Sequence, residues 1–254
     1  MTFNGTTVYG FMPAVIGMRL PMSKDYHDAL SKIDSKVDDD GNFVFGEDDL
    51  RIAKNLIKAD DNKGVCQPNS KFLQMIEVWV SIEAPLCFWR EADTYRHMVK
   101  NSTSTMHRIQ SYPIDDTCFE RNPLTGEVSK LIHLDELENA RINFNNIGSQ
   151  IKVVSKKLYH DNTEKEILKI TDEIAQLKEE QKSVWYELIY GLGDSWLQTR
   201  MCHFNYATLR NMYTWRCEIP HKQNTWSGKD NPEMDNFKKW VETLPYVKEL
   251  VYEM

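Results

Sequence analysis

The stretch "KFLQMIEVWVSIEAPLCFW", residues 71–89, constrains the fold more than any other part of the chain. Val78, Val80 and Ile82 alternate with Glu77, Trp79 and Ser81. A two-residue period sends the branched apolar side chains to one face and the polar and aromatic ones to the other, which predicts a strand with one buried side. Pro85 has no N–H to give to a ladder, so regular pairing is expected to end there. Such a strand needs partners for its backbone and a layer over its apolar face.

The rest of the sequence offers both. "TTVYGFMPAVIGM" reads as a first strand followed by a turn or helix start. "SKVDDDGNFVFGEDDLRIAKNLIKAD" reads as a polar turn, a short strand and a helix that Asp48 or Asp49 would cap ahead of Leu50, Ile52, Ala53, Leu56 and Ile57. Beyond a loop-rich segment with a turn at Pro123–Gly126, Ile167, Ile170, Ile174, Leu177, Val184 and Leu188 recur at helical spacing, and Gly191 and Gly193 supply a stop. "DSWLQTRMCHFNYATLRNMYTWRCEI" reads as a further amphipathic helix or pair of helices, and residues 231–254 as a closing one. The expected fold class is α+β: a single domain over 1–254, with a mixed or antiparallel sheet packed by helices, a helical C-terminal half, and a helical insertion or extension at about 130–190.

Composition narrows the function. A 41% hydrophobic fraction supports a packed globular core. No apolar run is long enough to span a bilayer, and the N-terminus lacks the pattern of a secretory signal, so the expectation is a cytoplasmic protein with no membrane partner. The net charge of −7 argues against broad nucleic-acid binding, which needs a cationic excess. Cys66, Cys87, Cys118, Cys202 and Cys217 form no CxxC pair and are odd in number, which predicts reduced, mostly buried thiols. "KVDDDGNFVFGE" places Asp38, Asp40, Gly41 and Glu47 at calcium-loop spacing, but Lys36 stands where the first carboxylate belongs, so a solvated acidic turn and no metal are expected. His203 beside Cys202 is read as helix packing, since neighbours on a helix diverge by about 100°.

Any anionic ligand must then be met by local cations. "TYRHMVKNSTSTMHRI", residues 94–109, concentrates Arg96, His97, Lys100, His107, Arg108 and a run of hydroxyls just after the strand. Taken alone the hydroxyl run is a polar loop or a cap. With Arg90 and Arg96 on the same approach, guanidinium forks and hydroxyls together suit phosphate and pyrimidine edges. A second set, Arg200, Arg210 and Arg216, accompanies Asn205 and Asn211.

In this order the segments resemble the flavin-dependent thymidylate synthases. That family carries a Ser/Thr-Pro-Phe-Glu-His element, a strand ending in Ala-Pro, then Arg-Gln, Arg-His-Arg and Asn-Glu-x-Ser-x-Arg. Ser70 and Phe72 fall on the first element, Ala84 and Pro85 on the second, Arg90 on the Arg before Gln, Arg96 on the last Arg of Arg-His-Arg, and Asn101 and Ser104 on the final run. Asn205, Leu209, Asn211 and Arg216 coincide with a second family segment that begins a helix and ends in a nucleotide-binding arginine. The sequence departs from the pattern at Pro68, Leu73, Gln74, Glu91, Thr94, Tyr95, Ser102 and Met106.

The resemblance implies an enzyme that makes dTMP from dUMP, taking carbon from methylenetetrahydrofolate and hydride from NADPH through FAD, in a homotetramer. It implies Ser70, Arg96, Asn101, Asn205 and Asn211 at the flavin, Ser104, Arg200 and Arg216 at the pyrimidine nucleotide, and Arg96 and Ser104 as the catalytic pair. The departures keep two alternatives open: a catalytically altered nucleotide-binding or protein-interaction module on the same fold, and an enzyme modifying a different pyrimidine nucleotide.

Overall fold

The structure is a computed structural model that describes residues 1–60, 68–160, 162–219 and 222–252. Its contacts divide the chain into two compact units. The first holds residues 1–84, 88–102 and 199–254, and the second holds 85–87 and 103–198.

The chain runs through β1 (Thr2–Tyr9), α1 (Phe11–Arg19), α2 (Tyr26–Ser31), a small hairpin of β2 (Lys36–Val37) and β3 (Phe43–Val44), and α3 (Glu47–Asp60). A 3-10 segment (Lys71–Met75) leads into β4 (Glu77–Pro85), followed by α4 (Leu86–Ala92), β5 (Val99–Ser102) and α5 (Thr105–Arg108). Two long helices, α6 (Leu134–Lys156) and α7 (Glu164–Gly191), precede β6 (Leu197–Asn205) and α8 (Tyr206–Tyr213). A π-helical turn (Thr214–Glu218), α9 (Asn224–Ser227), α10 (Phe237–Val241) and a second π turn (Lys248–Tyr252) follow.

The sheet order is β1-β4-β6-β5, with β1 antiparallel to β4 and β5 antiparallel to β6. The alternation read from the sequence is the alternation of burial: Val78, Val80, Ile82 and Ala84 are wholly buried, while Glu77, Trp79, Ser81 and Glu83 are half-buried on the other side. The covered face meets Phe11, Val15, Leu73, Phe204, Tyr206 and Leu209 in the core of the first unit. The second unit has its own core of Ile109, Ile114, Phe119, Leu137, Leu188 and Leu192.

Several expectations are corrected. Residues 197–205 are a strand rather than a helix, because Cys202 and Phe204 turn inward at a two-residue period and β5 supplies the pairing, with Val99 opposite His203 and Ser102 opposite Arg200. His203 therefore sits on the open side of the sheet, stacked 4.4 Å from Trp79 with Nε2 2.7 Å from Glu77 Oε2. The closing helix is broken, since Pro245 interrupts it and Tyr246 adopts a left-handed φ of 53°. Neither Asp48 nor Asp49 caps α3. Asp34 does so from outside, accepting from the Asp48 and Asp49 N–H groups at 2.9 and 3.0 Å. Asp49 is instead a buried carboxylate that accepts from Arg19 Nε at 2.7 Å and from Ser35 N and Oγ at 2.9 and 2.7 Å. Asp38 closes the β2–β3 turn by accepting from the Asp40 and Asn42 N–H groups.

Cys202 and Cys217 are buried and free, and Cys87 and Cys118 are half-buried; Cys66 lies outside the described residues. Burial pushes the Cys202 thiol up to about 12, so almost no thiolate forms at neutral pH.

Gly10 joins β1 to α1 at φ 95°, and a Cβ there would collide with the Met75 carbonyl oxygen. Gly10→Ala is expected to lower stability by about 2–4 kcal/mol, combining left-handed strain with displaced backbone. Urea denaturation of both proteins measures it.

Candidate functional site

A cavity of about 540 Å³ opens in the first unit where the turn after α4 approaches the start of α8. Thr94, Tyr95, Arg96 and His97 form one wall, and Asn205, Ala207, Thr208, Asn211, Trp215 and Arg216 form the other, with Gln74 beside them. Local chemistry explains both walls.

The first is a tight turn. The Thr94 and Tyr95 N–H groups donate to the Glu91 and Ala92 carbonyls at 3.1 and 3.3 Å, and His97 takes a left-handed φ of 63° that turns the chain into β5. The second begins at a cap: Asn205 Oδ1 accepts from the Thr208 N–H at 3.0 Å and starts α8. The Tyr206 N–H donates to the Ile76 carbonyl at 2.9 Å, and Tyr206 Oη donates to the Pro245 carbonyl at 2.6 Å, so the helix start is fastened to the sheet and to the C-terminal segment. Thr208 Oγ1 donates to the Arg96 carbonyl at 3.5 Å and joins the walls.

The two guanidinium groups differ. Arg96 is exposed, and among the described residues its side chain has no hydrogen-bond or ion-pair partner. Arg216 is four-fifths buried and engaged through two of its nitrogens: Nη2 lies 2.6 Å from Glu91 Oε2, and Nε donates to Tyr95 Oη at 2.8 Å. Its planar group also lies over the Tyr95 and Trp226 rings at 5.6 and 5.8 Å. Burial raises the pKa of the Tyr95 phenol, against the opposing bond and charge of Arg216, so the phenol stays neutral. The Asn211 amide and the half-exposed Trp215 ring add hydrogen-bonding capacity and an aromatic face.

Of the residues expected from sequence, Arg96, Asn205, Asn211 and Arg216 converge on this cavity. Ser70, Asn101 and Arg200 are not among its lining residues. Ser70 is buried, and its N–H donates to Asp60 Oδ2 at 2.6 Å. Asn101 is exposed on β5, opposite Met201. Arg200 lies on β6, 4.4 Å over the Trp89 ring, with Nη1 3.1 Å from Asp93 Oδ1. Ser104 belongs to the second unit, where it is the N-terminal flank of α5 and its carbonyl accepts from the Arg108 N–H. Sequence reasoning did not find the pairing of Arg216 with Glu91 and Tyr95. Those two positions stood out only as departures from a family pattern, and no local periodicity links them to residue 216.

These elements define a class: an α+β protein with a small antiparallel sheet, helices over one face and a polar, partly aromatic cavity at a strand-to-helix junction. No protein-family model matches the chain, and no curated protein matches its sequence. Among solved structures the chain aligns over 100% of its length with 98% of the flavin-dependent thymidylate synthase ThyX from Helicobacter pylori, complexed with FAD and dUMP, at 14% identity and a TM-score of 0.50. It also aligns with the UMP/dUMP methylase PolB from Streptomyces cacaoi bound with 5-Br UMP, over 95% of this chain and 86% of that one, at 10% identity and a TM-score of 0.41. The fold is that of ThyX.

Asp93 bridges Lys100, at 2.8 Å, and Arg200. Burial works to raise its pKa, but the bond from Lys100 and the charge of Arg200 prevail and hold it below the ordinary carboxylate value. A depressed folded pKa contributes stability that is present above the unfolded value of about 3.9 and disappears as pH falls through the lower folded value. Asp93→Asn is therefore expected to destabilise the protein at pH 6–7, with the gap to the unmodified chain closing below about pH 4. Denaturation midpoints across that range check the sign.

Proposed function

We propose that this protein is a flavin-dependent enzyme acting on a pyrimidine nucleotide, with reductive methylation of dUMP to dTMP as the leading reaction. One observation carries the reading: in a chain with the ThyX fold, Arg96, Asn205, Asn211 and Arg216, far apart in sequence, line a single cavity.

The donor set fits a flavin nucleotide. Arg96 would give charge-assisted bonds to phosphate oxygens, the Asn205 and Asn211 amides would meet a polar heterocycle edge, and Trp215 would offer a stacking face. Bound there, FAD would supply hydride transfer, with NADPH as hydride source and methylenetetrahydrofolate as carbon source. The protein's part is to hold the pyrimidine in place, neutralise charge and exclude water. The roles of Ser70, Asn101, Ser104 and Arg200, and assembly into a homotetramer, rest on the family resemblance.

A second reading has its own support. Arg200 and Arg216, both expected at the nucleotide, are each paired with a carboxylate. That arrangement disfavours a phosphate at those two arginines, and so favours a pyrimidine substrate that does not place its phosphate there, on the same cofactor.

Titration of the purified protein with FAD, followed by absorbance, is expected to saturate, with Arg96→Ala or Asn211→Ala weakening affinity about tenfold, or ~1.4 kcal/mol. NADPH oxidation should then depend on FAD and be stimulated by one member of a pyrimidine nucleotide panel. Absence of saturable flavin binding contradicts the reading.

A further inference from the structure

The cavity is lined by two arginines that differ in how far they are already engaged. Arg216 has a carboxylate oxygen of Glu91 2.6 Å from Nη2 and the Tyr95 hydroxyl 2.8 Å from Nε, and its side chain is 19% exposed. A carboxylate bound to a guanidinium edge is chemically what a ligand phosphate would be at the same edge. Glu91 is in the last turn of α4, and the turn that follows is tied back to it, with Thr94 N and Oγ1 donating to the Glu91 carbonyl at 3.1 and 2.7 Å. The acid is thus carried on ordered backbone. Arg96 is exposed and unpartnered among the described residues.

We propose that Glu91 is a built-in counter-ion that occupies the anion-binding edge of Arg216 and makes the cavity discriminate against a ligand phosphate at that end. Glu91 is then a specificity-determining residue. An anionic group is received at Arg96, and the Arg216 end takes the uncharged part of a ligand, because a phosphate entering there meets a carboxylate of like charge and must displace it. Tyr95 reinforces the arrangement by holding Nε, which keeps the guanidinium turned toward Glu91. The inference rests on the reading of this cavity as a ligand site, but not on the identity of the pyrimidine.

The first measurement uses inorganic phosphate, titrated into the full chain and its Glu91→Gln and Glu91→Ala variants, with binding read by phosphorus NMR and folding by circular dichroism. Both variants are expected to bind phosphate at least fivefold more tightly than the unmodified protein, and the gain should vanish when Arg216→Ala is added. Unchanged affinity in folded variants overturns the proposal. The second measurement needs no Glu91 variant: any preference of the unmodified chain for dUMP over deoxyuridine should persist in Arg216→Ala and fall in Arg96→Ala. A preference that is lost in Arg216→Ala shows Arg216 already binding phosphate, and also overturns the proposal. If neither pyrimidine binds while the phosphate response is as expected, the pyrimidine reading fails and the counter-ion assignment stands.

Discussion

The buried face of β4 is the constraint on which the first unit depends. Val78, Val80, Ile82 and Ala84 are fully covered, and their strand lies between β1 and β6. Covering that face requires α1 and α8, and the bond from the Tyr206 N–H to the Ile76 carbonyl fixes where α8 begins relative to the strand. Asn205, Ala207 and Thr208 are consequently delivered to the same end as Gln74, and a cavity forms there. Burial of about 2 kcal/mol per large apolar side chain stabilises this arrangement, so the polar cavity is carried by a rigid apolar support.

The site is electrostatically uneven. Arg200 and Arg216 are neutralised by Asp93 and Glu91, each stacked against aromatic rings, whereas Arg96 projects without a partner among the described residues. Paired and stacked guanidiniums are positioned for shape and hydrogen bonding, and an unpaired exposed one for an incoming anion. This division falls between the residues expected at a flavin and those expected at a nucleotide, and it gives the departures at Glu91 and Tyr95 a common physical meaning: both contact Arg216.

Much of this was legible in the sequence, for identifiable reasons. The two-residue alternation over 77–82 and the helical spacing over 164–191 are local patterns that survive any tertiary context, and Pro85 ends β4 as its chemistry requires. The strand over 197–205 was not legible, because only Cys202 and Phe204 point inward and its stability comes from pairing with β5, a distant segment. The nearest aspartates to α3 are not its cap, because Asp34 reaches the helix start from another segment. Arg96, Asn205, Asn211 and Arg216 stand out in the sequence by residue type and by the family resemblance. That Glu91 pairs with Arg216 is a fact of three-dimensional proximity that no spacing rule encodes.

Amide hydrogen exchange of the full chain, with and without saturating FAD, distinguishes a flavin cleft at this cavity from binding elsewhere. Protection is expected to concentrate in residues 94–97 and 205–216, the two walls of the cavity. Protection confined to other segments, with these two unchanged, would contradict a flavin cleft there.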